Sequence, residues 1–185
     1  MANITSSEPL STAARNKMAM MNGLVLGVIY IIIGTVLNMT ANALFLYMLL
    51  KGIGYLVYLV ILGFMLANVR KANGGYIELR EVFGAAFVIV LVAGTLSFAY
   101  NYLYVYVIDP GFTDKVKNAT LAAMEKAKLP DEQIDKALND IEKSRKFNLQ
   151  NTIMSYMGGL LLDSFLGLIV SLIIKKPRPV FDNLQ

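Results

Sequence analysis

The residue of this chain most able to do chemistry is Asp163, because it stands alone in a long apolar segment. It is the only charged residue between Lys146 and Lys175. A charged aspartate at the middle of a membrane helix costs about 2.5 to 3.5 kcal/mol on insertion scales, so it is expected to face other helices and find polar partners there. Two roles fit this position: a polar tie between helices, or the handling of a proton or ion.

Three further polar side chains are predicted to lie at the depth of Asp163. Asp163 is twelve residues from the charged end of its apolar run, at Lys175. Counting about twelve residues into each of the other three apolar runs, at ~1.5 Å per residue, leads to Tyr30, Tyr58 and Thr95. Their hydroxyl groups could donate hydrogen bonds to the carboxylate. The sequence therefore predicts an intramembrane polar cluster of four residues.

Enzymatic chemistry finds little support in the composition. The chain contains no histidine and no cysteine, which removes the commonest general base, the commonest zinc ligands and the thiol nucleophile. Intramembrane hydrolysis needs a pair of aspartates, a serine with a base, or a metal, and the apolar runs hold one acidic residue. We therefore expect no catalytic residue, no cofactor and no metal site.

Small residues recur at helical spacing in two apolar runs. Gly23 and Gly27 form a GxxxG pattern, and Gly159, Gly167 and Ser171 lie on the same helical face as Asp163. Small faces let helices approach closely in lipid, where van der Waals packing drives association. We interpret these five small residues as a helix-packing face, within one chain or between copies of a homo-oligomer.

Long runs without charge define the elements that position these residues. Apolar residues make up 56% of the 185 residues and charged residues 16%, whereas a soluble domain has about 25% charged residues. Apolar runs of about 18 residues or more are typical of bilayer-spanning helices. We predict spans over residues 20–39, 53–69, 82–104 and 152–174. Residues 38–42 form a polar interruption after the first span. This interruption leaves open whether residues 42–52 join a span or lie at the interface.

The only long polar segment inside the chain is residues 112–150. Two amphipathic patterns flank the break at Pro130, so an α-helical hairpin is predicted between spans three and four. Residues 1–15 and 180–185 are predicted to be tails, the first of them disordered, on either side of a membrane domain over 16–179. The predicted fold is therefore an all-α integral membrane four-helix bundle with an extracytoplasmic helical hairpin.

Basic residues indicate the orientation of the spans. They cluster at both termini and in the turn at Arg70 and Lys71, which places these three sites in the cytoplasm. Residues 109–150, which include the hairpin, carry eight basic and eight acidic residues, most of them away from the span ends. The net charge of +4 follows from these end clusters, not from a basic stripe with interleaved aromatic residues, so no nucleic-acid partner is expected.

Four short motifs, in this order, resemble a known family. They are the turn VRKANGGYI with EVF after it (69–83), YVIDP (106–110), LPDEQI (129–134) and GLIVSLIIKK (167–176). Over about residues 16–179 the chain resembles the bacterial membrane family catalogued as domain of unknown function 4199. The resemblance implies a four-span protein of a bacterial cytoplasmic membrane. That family has no established activity, so no catalytic residue is transferred.

Two functions from different classes remain. The first is a structural or interaction component of the bacterial cytoplasmic (inner) membrane, in which the lipid bilayer and a membrane-complex partner are what the chain contacts. The second is a small carrier or channel whose path uses Asp163. We favour the first, because transport usually needs several polar groups along a path and the other spans offer only hydroxyl and amide side chains.

Overall fold

The computed structural model of the protein describes residues 9–145 and 149–178. Six α-helices and one π-helical turn account for most of these residues, and an isolated bridge between Ile77 and Lys176 is the only β-type pairing among them. The helices are α1 (Thr12–Asn38), α2 (Leu44–Ala72), α3 (Leu79–Leu103), the π-helix (Tyr104–Ile108), α4 (Phe112–Lys126), α5 (Asp131–Arg145) and α6 (Leu149–Ile174). The predicted all-α fold is confirmed.

Four of these helices are long and apolar enough to cross a membrane. They are α1, α2, α3 with its π-helical turn, and residues Gln150–Ile174 of α6, and they contain 27, 29, 30 and 25 residues. At ~1.5 Å per residue even the shortest extends about 37 Å, more than the ~30 Å hydrocarbon core of a bilayer. The described residues therefore contain four candidate membrane spans, as expected of a multi-pass membrane protein.

The first helix begins earlier than the predicted span. Residues 12–15 were assigned to a disordered tail, yet α1 starts at Thr12. The Ser11 hydroxyl accepts the backbone N–H of Ala14 at 3.2 Å and so satisfies one of the unpaired donors of the first turn. Residues 1–8 of the predicted tail, and the whole predicted tail over 180–185, lie outside the described residues.

The second helix contains most of the segment whose place the sequence left open. Residues 44–52 are helical and continuous with the predicted second span, so Lys51 and Gly52 do not end a helix. The Lys51 ammonium lies 4.7 Å from the centre of the Tyr47 ring, one helical turn earlier. This cation–π contact, together with the good helix propensity of lysine, favours continuation of the helix.

The contacts within the chain divide it into two compact units. The described part of unit 1 is residues 9–28, 57–96 and 159–178. It holds most of the fully buried apolar side chains, among them Leu26, Leu62, Leu66, Val82 and Ile89, none of which is more than 1% exposed. The described part of unit 2 is residues 29–56, 97–145 and 149–158.

An aromatic cluster forms the core of unit 2. Phe112, the first residue of α4, packs edge-on against Tyr104 and Tyr47, with ring centres 5.5 and 6.4 Å apart. The π-helical turn positions Tyr104 and closes with a hydrogen bond of 2.8 Å from the Asp109 N–H to the Tyr104 carbonyl. A π-helical turn contains one more residue than an α-helical turn, so it changes the direction of the side chains at the end of the helix. The π-helix therefore fixes the base of the α4–α5 hairpin.

Ion pairs hold the hairpin together. Lys115 donates to the Asp109 carboxylate at 2.7 Å, and this hydrogen bond raises the pKa of the Lys115 ammonium above its ordinary value. Lys117 of α4 pairs with Glu142 of α5. Solvent screens exposed pairs, so the Lys117–Glu142 pair orients the two helices more than it stabilises them.

The turn between α4 and α5 shows why the helix stops before Pro130. Lys128 has a φ of 53°, the left-handed conformation that glycine usually occupies after a helix. The N–H of Leu129 then bonds to the Met124 carbonyl at 3.2 Å, as in a Schellman motif. Pro130 follows, immediately before α5, where its lack of an N–H does no harm.

Candidate functional site

The four residues of the predicted polar cluster fall in both units. Asp163, Tyr58 and Thr95 belong to unit 1 and Tyr30 to unit 2. Asp163 is half-buried, Tyr58 is 5% exposed, and the Thr95 hydroxyl donates to the Leu91 carbonyl of its own helix at 2.7 Å. All four side chains take part in interactions, so none of them is free. Their convergence on one carboxylate stays a prediction.

Two of the predicted packing glycines lie against a neighbouring helix of unit 1. A Cβ atom at position 23 would stand 2.8 Å from the Val92 Cβ and 2.9 Å from the Ile89 carbonyl oxygen. A Cβ atom at position 27 would lie 3.2 Å from the Ala93 Cα. Glycine is therefore needed at position 23 because α3 comes so close, and position 27 leaves only tight room for a Cβ atom.

The small residues of α6 behave differently from those of α1. At Gly167 a Cβ atom would meet Ala86 at 3.7 Å, an ordinary contact, and at Gly159 it would meet nothing within 4 Å. Ser171 is completely buried, and its hydroxyl donates to the Gly167 carbonyl at 2.7 Å. The face of α6 is thus closely packed near Ser171 and open at Gly159.

An ion pair that the sequence interpretation missed joins α1 to α3. Arg15, 8% exposed, donates to the Glu81 carboxylate at 2.8 Å. The other carboxylate oxygen of Glu81 accepts the N–H of Glu78 at 3.2 Å, an arrangement that caps the start of α3. Arg15 was interpreted only as an orientation signal. The sequence signal for the partner of Arg15 was Glu81, the acidic residue in the first turn of α3.

The turn after α2 is organised by a buried amide. The side chain of Asn73, 2% exposed, accepts the N–H of Leu10 and donates to the Tyr76 carbonyl, both at 2.8 Å. Gly74 and Gly75 adopt φ angles of 81° and 84°, which only glycine takes without strain. The chain therefore reverses within three residues. The side-chain amide of Asn73 connects the segment before α1 to this turn.

The same end of unit 1 also holds the last turn of α6. The Arg70 guanidinium donates to the carbonyl of Ile174 at 3.0 Å, which satisfies one of the unpaired acceptors at a helix C-terminus. Ile77 and Lys176 exchange two backbone hydrogen bonds of 2.8 and 3.0 Å. The basic glycine-rich turn and the lysine-rich end of α6 therefore form one hydrogen-bonded layer.

These segments are also those that the family comparison matches. The model of the family described as protein of unknown function (DUF4199) matches residues 21–176. The chain belongs to this family. The match confirms the resemblance. It includes the VRKANGGYI turn and the end of α6, which the DUF4199 chain joins through the backbone bridge between Ile77 and Lys176. No curated protein and no solved structure matches the chain.

Unit 2 of this DUF4199 protein contains a cavity of about 260 Å³ between residues of α1, α2 and α3. The cavity is part of the spans, so its polar lining is unexpected. Apolar walls come from Ile31, Ile33 and Leu37 and from two glycines. The polar residues that line it are Tyr30, Asn38, Lys51, Ser97, Tyr100 and Asn101.

Two hydroxyl groups of this cavity have opposite hydrogen-bonding states. Thr35 donates its only proton to the Ile31 carbonyl at 2.8 Å, so Tyr100, 2.7 Å away, donates to the Thr35 oxygen. The Ser97 hydroxyl is buried and has no partner among the described residues. An unsatisfied buried hydroxyl costs about 1 to 3 kcal/mol. Ser97 is therefore the polar group of the cavity most in need of a ligand or a water molecule.

Lys51 is the cation of this site, and the sequence interpretation had assigned it only to a helix end. Among the described residues it forms no ion pair, and its one recorded interaction is with the Tyr47 ring. A usable signal was present. Lys51 is the single charged residue between Lys17 and Arg70. Two spans and a short loop would fill that length of chain, so this lysine stands out within it.

Close packing of α1 on α3 leads to a first prediction. Gly23→Ala should lower the free energy of unfolding by roughly 1 to 3 kcal/mol, because the Ile89 carbonyl cannot move away cheaply. Gly34→Ala is the matched control on the same helix, since a Cβ atom there meets nothing within 4 Å. It should be neutral or stabilising by up to about 1 kcal/mol. Unfolding in detergent micelles, followed by circular dichroism, measures both, and equal effects would contradict the close approach.

The Arg15–Glu81 pair leads to a second prediction. Arg15→Met should cost about 2 kcal/mol, because the Glu81 carboxylate loses a charged hydrogen-bond donor. Lys17→Met removes an exposed cation two residues later and should change stability by less than about 0.5 kcal/mol. Adding Glu81→Gln to Arg15→Met should cost less than Glu81→Gln alone. Strict additivity in this double-mutant cycle would show that the pair contributes nothing.

Proposed function

We propose that this protein is a non-enzymatic component of a bacterial cytoplasmic membrane that binds a protein partner through its α4–α5 hairpin. The hairpin is the longest described stretch outside the four spans. Its helices carry charges of both signs on largely exposed surfaces. Mixed charge patterns give specificity and faster association with a protein of complementary pattern.

The observation that carries the proposal is the fixed base of the hairpin. Phe112 packs into the aromatic core of unit 2, and Lys115 binds Asp109 just before it. An arm fixed in this way presents a defined surface and loses little conformational entropy when it binds. A flexible linker of the same length would gain nothing from a π-helical turn and a buried phenylalanine at its base.

The proposal includes an orientation with both termini in the cytoplasm and the hairpin outside. The basic residues at the ends of the spans support it, since lysine and arginine near span ends prefer the cytoplasmic side. Arg70, Lys71 and Lys176 lie in the layer around the VRKANGGYI turn, in unit 1. The hairpin belongs to unit 2 and lies between α3 and α6 in the chain.

Cysteine labelling tests this orientation without interference, because the chain has no native cysteine. We expect Ala127→Cys in the hairpin to react with a membrane-impermeant maleimide in intact spheroplasts. Ala72→Cys and Pro177→Cys should react only after the membrane is opened. All three positions are exposed, unlike the neighbouring Asn73. Protection of position 127 with labelling at 72 and 177 would reverse the orientation.

Site-specific photo-crosslinking tests the partner. A photoreactive phenylalanine analogue in place of the exposed Lys136 should give one discrete crosslinked product in the native host. The same analogue in place of Lys71, which is exposed at the end of α2, is the control and should not give it. Combining the probe with Phe112→Ala should reduce the yield several-fold, because the base of the arm is loosened. A product equally abundant from both positions, or unaffected by Phe112→Ala, would refute the proposal.

A further inference from the structure

The hairpin proposal makes no use of the cavity of unit 2. We propose that this cavity binds a small organic monocarboxylate, with the carboxylate at Lys51 and the organic body against the apolar wall. The argument depends on the charge balance of the lining, the size of the cavity and the hydrogen-bond donors that remain available in it.

The charge balance favours a single negative charge. Lys51 is the only charged residue of the lining, and no carboxylate among the described residues pairs with it. A cation within membrane-spanning helices is costly unless an anion or water compensates it. One ammonium balances a monoanion, and it would leave a phosphate dianion half neutralised. The ligand that this lining fits best therefore carries one negative charge.

The size and the walls favour an organic ion over an inorganic one. Pockets for drug-sized ligands begin at about 300 Å³, and this cavity of about 260 Å³ lies just below that limit. Chloride would leave most of the volume empty. Ile33 and Leu37 offer an apolar surface to a short hydrocarbon chain. The transfer of that chain from water to this surface is favourable.

The neutral polar side chains can complete the binding of a carboxylate. Ser97 has an unused hydroxyl, and Asn38 and Asn101 each carry an amide NH₂ group that can donate. Tyr100 already donates to Thr35, so it serves as a fixed wall and not as a donor. A carboxylate has about four acceptor sites and can use these donors together with the lysine.

Snorkelling of Lys51 to the membrane surface would explain the lysine but not its surroundings. Long basic side chains near helix ends often extend towards water. Such a lysine needs no cavity, and it needs no buried serine hydroxyl without a partner in the lining of the same cavity. The coincidence of cation, cavity and unsatisfied donor is what a ligand site explains.

Equilibrium binding of radiolabelled hexanoate to the full chain in nanodiscs tests the proposal. We expect saturable binding of one molecule per chain. Lys51→Met, which keeps the apolar stem and removes the charge, should weaken binding at least ten-fold, and Lys51→Arg should stay within a few-fold of the natural protein. Lys71→Met removes an exposed cation from the same helix and should leave binding unchanged.

A second variant blocks the cavity without touching its charge. Gly34→Leu places a side chain in open space, since a Cβ atom at this position meets nothing within 4 Å. It should abolish hexanoate binding while unfolding in micelles occurs at the same or a higher temperature. Retained binding by a folded Gly34→Leu protein would overturn the proposal, as would hexanoate binding that Lys51→Met does not weaken.

Two competitors identify the source of the ligand. If dodecanoate displaces the labelled hexanoate at a lower concentration than unlabelled hexanoate does, the natural carboxylate comes from membrane lipids. If only the short acid binds, the natural carboxylate comes from water. Either result supports the site. Displacement by chloride at equal concentration would show a halide site, and no saturable binding of either acid would show no site; both would overturn the proposal.

Discussion

A hydrocarbon bilayer offers no hydrogen bonds, and this constraint explains how several hydroxyl groups of the spans are arranged. Thr35, Thr95, Ser164 and Ser171 each donate to a carbonyl one turn earlier in their own helix. Local satisfaction of this kind needs no neighbour, so it leaves the helix faces free for packing. It also explains why polar residues within an apolar run need not mark a path for ions.

Polar groups that cannot be satisfied locally join different segments of the chain. Arg15 reaches Glu81, Asn73 reaches Leu10, and Arg70 reaches the last turn of α6. Each of these bonds connects residues more than 60 positions apart in the sequence. Where apolar faces give little directional preference, such bonds fix which ends of the helices meet.

Charge is the dominant signal in a membrane protein, and the uncharged runs of the sequence predicted four helices that are long and apolar enough to cross a membrane. Helices α1 and α2 extend beyond the uncharged runs, because a serine caps the start of α1 and Lys51 lies over a tyrosine ring of α2. The small-residue pattern identified Gly23 and Gly159 alike. Spacing shows which residues share a face, but it does not show which part of that face meets another helix.

A count of residues from the helix ends predicts depth along a helix but not rotation about its axis. Counting residues placed Tyr30, Tyr58, Thr95 and Asp163 at one level, yet a level contains lipid-facing and protein-facing directions. Burial separates them: Tyr58 is 5% exposed, whereas Thr95 is exposed and bonded to its own helix. A one-residue change shifts a side chain by about 100° around the axis, so a uniform count from the helix ends cannot resolve direction.

Lys51 and Lys176 show how one interaction has different consequences at two positions. Each ammonium lies over a tyrosine ring, at 4.7 and 5.0 Å. Lys176 follows the end of α6, where water can solvate it, and a cation–π contact of about 0.5 to 1 kcal/mol is a minor addition. Lys51 is the eighth residue of α2, its side chain is exposed, and it lines the polar cavity. The other polar residues of that lining are neutral, so Lys51 supplies the one charge that can orient a ligand in the cavity.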